Sequence, residues 1–336
     1  MNKISCTTNN SQECKGCHRD SFKCWCCSKS YDEECSCVKF KSPCDSSKCS
    51  FCRSSPIPII LWCHPRSCSS VFQRAFLQRS QEFKCFQEPF RNDDALNMRF
   101  KIYYTQKEKD NEKVSKEENN KENKPLRVFV KDMAIFIEGQ YGPNSTLSKS
   151  ILLKVRHSFL IRDPSKSIKS FYRTIFQIHF QRYESLKEKE DVEKAIKLDD
   201  LRSIASSIGI KELAKFFDYV KEEFKDQTPL VVDADDLCKD PKGILGKYCE
   251  LIGEVFDESM ISWKPGKVED WHSMGIWHSD LEQSTGFDKF LSDKISYTKE
   301  FKYPLFVEEL IQENRKYYDY LYQALNFLKL RFYIVY

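Results

Sequence analysis

Arg66, Ser67, Cys68, Ser69 and Ser70 crowd into one short turn, His64-Pro65-Arg66-Ser67-Cys68-Ser69-Ser70. Before it runs Ile57 to Trp62, apolar, of strand length and rich in β-branched residues. After it, Val71, Phe72, Ala75 and Phe76 recur on one helical face, with Gln73 and Arg74 on the other. A strand, a turn of small residues and a helix aim a helix N-terminus and a run of backbone N–H groups at one point, which suits an anion. Arg66 would add a guanidinium fork, and the serines hydroxyl donors. An ordinary strand–turn–helix with a surface arginine shares this pattern. The turn lacks the G-x-x-x-x-G-K-[ST] signature, so the lysine and magnesium chemistry of NTPases is not specified.

The elements that must position this turn belong to a chain of 336 residues, enough for one large α/β domain, residues 56–336, plus an appendage. Net charge is +4, with no strong basic bias, so nucleic acid is not an expected partner. No apolar run reaches membrane-span length, and MNKISCTTNNSQ holds no apolar core of a secretory signal. A cytoplasmic protein is expected. Residues 1–55 hold eleven of the sixteen cysteines. The C-x-x-C pairs Cys14/Cys17 and Cys49/Cys52 fit zinc ligation in a reducing compartment, whereas a disordered or disulfide-stapled tail fits the scarcity of aliphatic residues. Residues 105–125 are almost wholly Lys, Glu, Asn and Asp and read as a solvated insertion.

Strands are expected at Arg127-Val128-Phe129-Val130, at Ser158 to Ile161 and at Leu230-Val231-Val232. Pro164 and Ser165 open a helical pattern with Ile168, Phe171 and Tyr172 on one face. Phe176 to Asp226 reads as helical, and so does an aromatic stripe from Tyr317 to Phe332. Asp233-Ala234-Asp235-Asp236 reads as an N-cap and first-turn charge set rather than a metal site. Trp271, His272, Trp277 and His278 could cover a substrate or pack helix ends.

WCHPRSCSS, the helix after it, FQEPF, IRDPSKSIKSFYR, DADDL and SWKPG together resemble the sulfotransferases that use 3′-phosphoadenosine 5′-phosphosulfate (PAPS). The resemblance runs from Pro56 to about Gly286, without the charged insertion. It implies a three-layer, P-loop-like α/β fold with a mostly parallel sheet. It also implies that Pro65, Arg66, Ser67, Ser69 and Ser70 wrap the 5′-phosphosulfate, with Cys68 where many members carry glycine. By the same resemblance, Arg162 at a strand end and Ser170 eight residues later hold the 3′-phosphate. A dianion of that kind suits a bidentate cation and a hydroxyl two helical turns along.

The family's histidine after the second strand is absent, and Lys131-Asp132-Met133 stands in its place. In other branches a carboxylate before a proline serves as base, which points to Glu88, with Arg66 neutralising charge on the transferring group. The function implied is sulfuryl transfer from PAPS to a small-molecule hydroxyl or amine. The alternatives are a P-loop nucleotide kinase, a silent nucleotide-binding relative, or a metal-binding scaffold defined by its cysteines.

Overall fold

A computed structural model of the chain describes residues 57–91, 127–141, 149–153, 155–182, 204–225, 229–268, 271, 275–288 and 302–329. The cysteine-rich segment, its zinc candidates Cys14, Cys17, Cys49 and Cys52, and the charged insertion lie outside these residues. In chain order the elements are β1 (Ile59–Cys63), α1 (Ser69–Leu77), β2 (Phe83–Gln87), β3 (Arg127–Met133), a 3₁₀ turn (Ala134–Ile137) and α2 (Lys149–Leu152). They continue with β4 (Arg156–Ile161), α3 (Pro164–Arg182), α4 (Ile210–Glu223), β5 (Leu230–Asp233), α5 (Ala234–Lys239), α6 (Pro241–Ile252), α7 (Gly275–Glu282) and α8 (Leu305–Lys329).

The five strands form one sheet in the order β2-β3-β1-β4-β5, every pair parallel. β1 is central and wholly buried. Its alternating side chains serve two cores. Ile60 and Trp62 join Phe159, Ile161 and Val231 under α4 and α8. Ile59, Leu61 and Cys63 join Phe129, Leu160 and Val232 under α1, α5 and α6. The three-layer α/β expectation is met. The carboxyl ends of β1, β3 and β4 share one edge of the sheet, where ligands of parallel sheets lie.

Several local expectations shift. β1 runs two residues later at its start and one later at its end than Ile57–Trp62. β2 is a strand that the sequence did not signal; only Phe83 and Cys85 are buried in it, while Lys84 is exposed, as befits an edge. Helix does not run unbroken from Phe176 to Asp226. Gly209, at φ 73°, starts α4 afresh. A Cβ there would lie 3.3 Å from Pro65 Cδ, so the glycine lets α4 approach the turn after β1. α8 begins well before Tyr317, because Val307 and Ile311 continue the buried face of Tyr318, Leu321 and Leu325.

α1 also differs from a simple amphipathic helix. Gln73 and Arg74, placed by periodicity on the polar face, are buried. Arg74 donates to Leu281 O at 2.8 Å and Lys264 O at 2.9 Å, and its guanidinium lies over Trp263. Gln73 Oε1 accepts from Trp271 Nε1 at 3.2 Å. The polar face of α1 thus anchors the chain around α7, which matters for the site below.

Candidate active site

The turn after β1 is held in a costly conformation. Arg66 (φ 60°), Cys68 (φ 62°) and Glu88 (φ 45°) are the non-glycine residues with positive φ among the described residues. Each such residue costs on the order of 1 kcal/mol or more, and such strain gathers at functional sites. All three are residues that the sequence singles out. Cys68 caps α1 without a side-chain cap bond, so the first N–H groups of the helix face the turn.

His64 explains how the turn is pinned, and sequence reasoning gave it no role. Its ring is buried; Nε2 accepts the Arg162 N–H at 3.1 Å and Nδ1 lies 3.1 Å from Pro65 O. The proton therefore sits on Nδ1. Burial pushes the imidazole down to about 3, so it stays neutral. Ser67 Oγ donates to His64 O at 2.7 Å, which closes the turn and occupies one of the expected ligand hydroxyls.

Arg162 and Ser170 do meet the turn, but not each other. Ser170 Oγ, on α3, accepts from Arg66 Nε at 3.0 Å. Arg162 Nη1 donates to Arg66 O at 3.1 Å. Arg66 Nη1 also donates to Trp277 O at 3.2 Å, with the Trp277 ring 5.9 Å from the guanidinium carbon. Arg66 thus joins β1, α3 and α7. Arg162 is 8% exposed, and its Nε has no hydrogen-bond partner among the described residues; the nearest counter-charge is Asp235 at 3.8 Å. A buried guanidinium edge left unbonded is costly and suits an anionic ligand. Burial lowers the Arg162 pKa, and neighbouring Cys68 and Asp235 more than reverse this, so the charge is kept.

Glu88 occupies a second cluster, at the ends of β2 and β3. It pairs with Lys131, both buried, and lies 3.8 Å from Arg91. Burial works against the Lys131 charge, and the Glu88 carboxylate outweighs it. Asp132 is fully buried, accepting from Phe90 N at 2.8 Å and Met133 N at 2.7 Å, and burial raises its pKa against those bonds. β3 separates β2 from β1, so Glu88 and Arg66 sit on nearby but distinct strand ends.

α7 spans the gap. Trp277 reaches Arg66, while His278 Nε2 lies 3.3 Å from Gln87 Nε2 and its ring stacks on Trp271 at 4.7 Å. Burial holds His278 down at about 4, with the Lys131 charge adding to it. The aromatic-and-histidine stretch therefore packs a helix and borders the site at once.

Asp233 fulfils the capping expectation, its carboxylate accepting from Asp235 N at 2.9 Å and Asp236 N at 3.0 Å. Among the described residues no group of His, Cys, Asp and Glu could hold a metal ion, and no helix is long and apolar enough to cross a membrane.

Comparison with known proteins adds the following. The chain is 25% identical over 232 residues to branched-chain-amino-acid aminotransferase-like protein 2 of Arabidopsis thaliana, covering 67% of this chain and 35% of that protein. It is 33% identical over 94 residues to the corresponding protein 1 of the same plant, covering 28% and 16%. The chain thus spans about a third or less of these relatives. Solved structures similar to it include the sulfotransferase domain of the Synechococcus PCC 7002 olefin synthase, at TM-score 0.38 and 17% identity, covering 77% of this chain and 94% of that one. Another is the sulfotransferase domain of the curacin biosynthetic pathway, at 0.38 and 15%, covering 76% and 97%. Residues 196–292, from α4 through β5 to α7, match the family model described as sulfotransferase domain, a stretch separate from the Arg66 turn.

Proposed function

We propose that this protein moves a sulfuryl group from PAPS to a hydroxyl or amine of a small-molecule acceptor. The observation that carries the reading is the convergence of Arg66, Arg162 and Ser170 at the N-terminus of α1, with Arg162 Nε buried and unbonded. Two guanidinium groups and an uncapped helix start suit a ligand with two separated anionic groups. The residues present therefore fit the donor: Arg66, Ser69, Ser70 and the N–H groups of Ser67 and Cys68 toward the 5′-phosphosulfate, Arg162 and Ser170 toward the 3′-phosphate.

In this reading Arg66 draws charge from the transferring oxygens, and its bonds to Ser170 and Trp277 hold it preorganised. Glu88 takes the proton of the acceptor hydroxyl, and Lys131 keeps the carboxylate in place. Trp277 and His278 would wall the acceptor side. The turn has no lysine of the NTPase kind, which disfavours phosphoryl transfer. Calorimetric titration with adenosine 3′,5′-bisphosphate tests the reading directly. Micromolar or tighter binding, with adenosine 5′-monophosphate markedly weaker, is expected; equal or no binding of the two removes it.

A further inference from the structure

The register of β4 and β5 brings Arg162 and Asp235 together. Ile161 pairs with Asp233, so the chain leaves both strands at one edge of the sheet, where α3 and α5 begin. Arg162 follows β4 directly, Lys166 lies in the first turn of α3, and Asp235 lies in the first turn of α5. Two other carboxylates at this edge are engaged elsewhere. Asp163 accepts from Arg315 at 2.8 Å and 2.9 Å and from Ser165 Oγ at 2.6 Å. Asp233 accepts from two N–H groups of α5 and from Tyr318 Oη at 3.0 Å. Asp235 is the carboxylate that pairs with Arg162.

That carboxylate is shared unequally. Its Oδ2 lies 3.0 Å from Lys166 Nζ, while its Oδ1 stands 3.8 Å from Arg162 Nε, too far for a hydrogen bond. Lys166 is 34% exposed, and Arg162 is buried. Asp235 thus neutralises Arg162 without satisfying its Nε–H, which has no hydrogen-bond partner among the described residues. Because Nε is buried, an anion can bond it only where a neighbouring group gives way. A negative ligand repels the negative neighbour first.

We propose that Asp235 is an internal counter-ion of Arg162 that the 3′-phosphate of the ligand displaces, and that Lys166 is the tether that draws it aside. The proposal rests on the donor reading above. A phosphate oxygen makes with Nε the charge-assisted bond that the carboxylate at 3.8 Å does not make. Asp235 keeps its ion pair with Lys166 as it moves, so the exchange leaves no carboxylate unpaired. A nucleotide with a 3′-hydroxyl brings no charge to Arg162 and leaves Asp235 in place. Asp235 therefore sets the selectivity of this subsite by competing with the ligand. It is a positioning residue, as is Lys166, which acts through it.

The test titrates the full-length chain with adenosine 3′,5′-bisphosphate and with adenosine 5′-monophosphate at one pH and salt concentration. Asp235→Asn should bind the bisphosphate about tenfold more tightly and leave the monophosphate within about twofold of wild type. Asp236→Asn removes a charge from the same helical turn and should shift neither ligand by more than about threefold. Lys166→Met should weaken the bisphosphate about tenfold in the wild type and by less than about twofold in the Asp235→Asn background, the coupling expected of a residue that acts through Asp235. Melting curves check each fold, and Asp235→Ser, also suited to a helix start, replaces Asp235→Asn if that variant does not fold. Weaker or unchanged bisphosphate binding in Asp235→Asn, or an equal gain in Asp236→Asn, overturns the counter-ion and leaves the donor reading standing. Equal losses from Lys166→Met in both backgrounds overturn the tether. A wild type that binds no bisphosphate overturns the donor reading, and this proposal with it.

Discussion

Arg66 Nε donates to Ser170 Oγ at 3.0 Å, across 104 residues of sequence. Ser170 is therefore a support for the cation of the turn, beside the phosphate contact proposed for it above. Arg66 sits at φ 60°, where its side chain is not held by a regular element. Ser170→Ala should then do more than weaken bisphosphate binding. Single-turnover sulfuryl transfer at saturating PAPS should also fall by about tenfold, the scale of losing one hydrogen bond to a charged group. A rate equal to wild type at saturation would confine Ser170 to the phosphate.

Arg162 divides the two ligand groups differently. Its backbone N–H is taken by His64 and one side-chain nitrogen by Arg66 O, which leaves Nε for a ligand. Arg162→Ala should weaken adenosine 3′,5′-bisphosphate by roughly 2–4 kcal/mol and adenosine 5′-monophosphate far less. Equal losses for both ligands would remove the 3′-phosphate from Arg162. A melting curve on the same protein checks that the turn still folds without the bond to Arg66 O.

The parts legible in the sequence were those encoded locally. β1, β3, β4 and β5 announce themselves as apolar runs, and α1 as a three- and four-residue recurrence. Arg66, Cys68 and Glu88 could be singled out by type and motif, and all three prove to carry positive φ. What stayed hidden depends on distant partners. β2 is an edge strand with a single apolar alternation, too weak to distinguish from a turn. Gln73 and Arg74 look solvent-facing until Trp271, Lys264 and Leu281, about 190 residues or more away, cover them. His64 reads as a turn residue; only the parallel pairing of β1 on β4, which sets Cys63 against Leu160, brings its ring within reach of the Arg162 N–H. A signal for it existed in its place directly after a central strand.

Acid should expose a second buried imidazole. His157 on β4 accepts from Trp62 Nε1 at 2.9 Å through Nδ1, and its Nε2 lies 3.0 Å from Leu152 O. Burial lowers it from 6.5 to about 4. A depressed histidine binds its proton in the unfolded chain first, so its stabilisation is whole above pH 6.5 and is lost as pH falls toward 4. The slope is about 1.4 kcal/mol per pH unit for one proton. Asp233 and Glu254 act oppositely: burial raises them to about 6 and about 7, so their contribution grows as pH falls. The comparison must therefore be by difference. Urea unfolding of His157→Gln and wild type between pH 7 and pH 4.5 should show the variant less sensitive by about one proton. Identical slopes would mean that His157 protonates alike in both states.

The buried pair at the ends of β2 and β3 poses the sharpest question about catalysis. Glu88 and Lys131 are both nearly inaccessible, and Glu88 alone among the described non-glycine residues after β2 has a left-handed backbone. A counter-ion role and a base role both predict damage from Glu88→Gln, because the substitution strands a buried ammonium. The cost should be about 3–5 kcal/mol, read from urea unfolding. Adding Lys131→Met removes the stranded charge, and stability should recover by most of that amount. The two roles then separate. If Glu88 takes the acceptor proton, the double variant regains its fold and not its chemistry: single-turnover transfer at saturating PAPS stays down by about 10²–10⁴-fold, while bisphosphate binding stays near wild type. If Glu88 only neutralises Lys131, turnover returns with stability. In that case the proton must go elsewhere, with Asp132, whose raised pKa follows from burial, the next group along β3 to replace by asparagine. Running the transfer with a chelator present belongs to the same experiment. The sulfuryl group carries less charge than a γ-phosphoryl, so wild-type turnover should not depend on added magnesium.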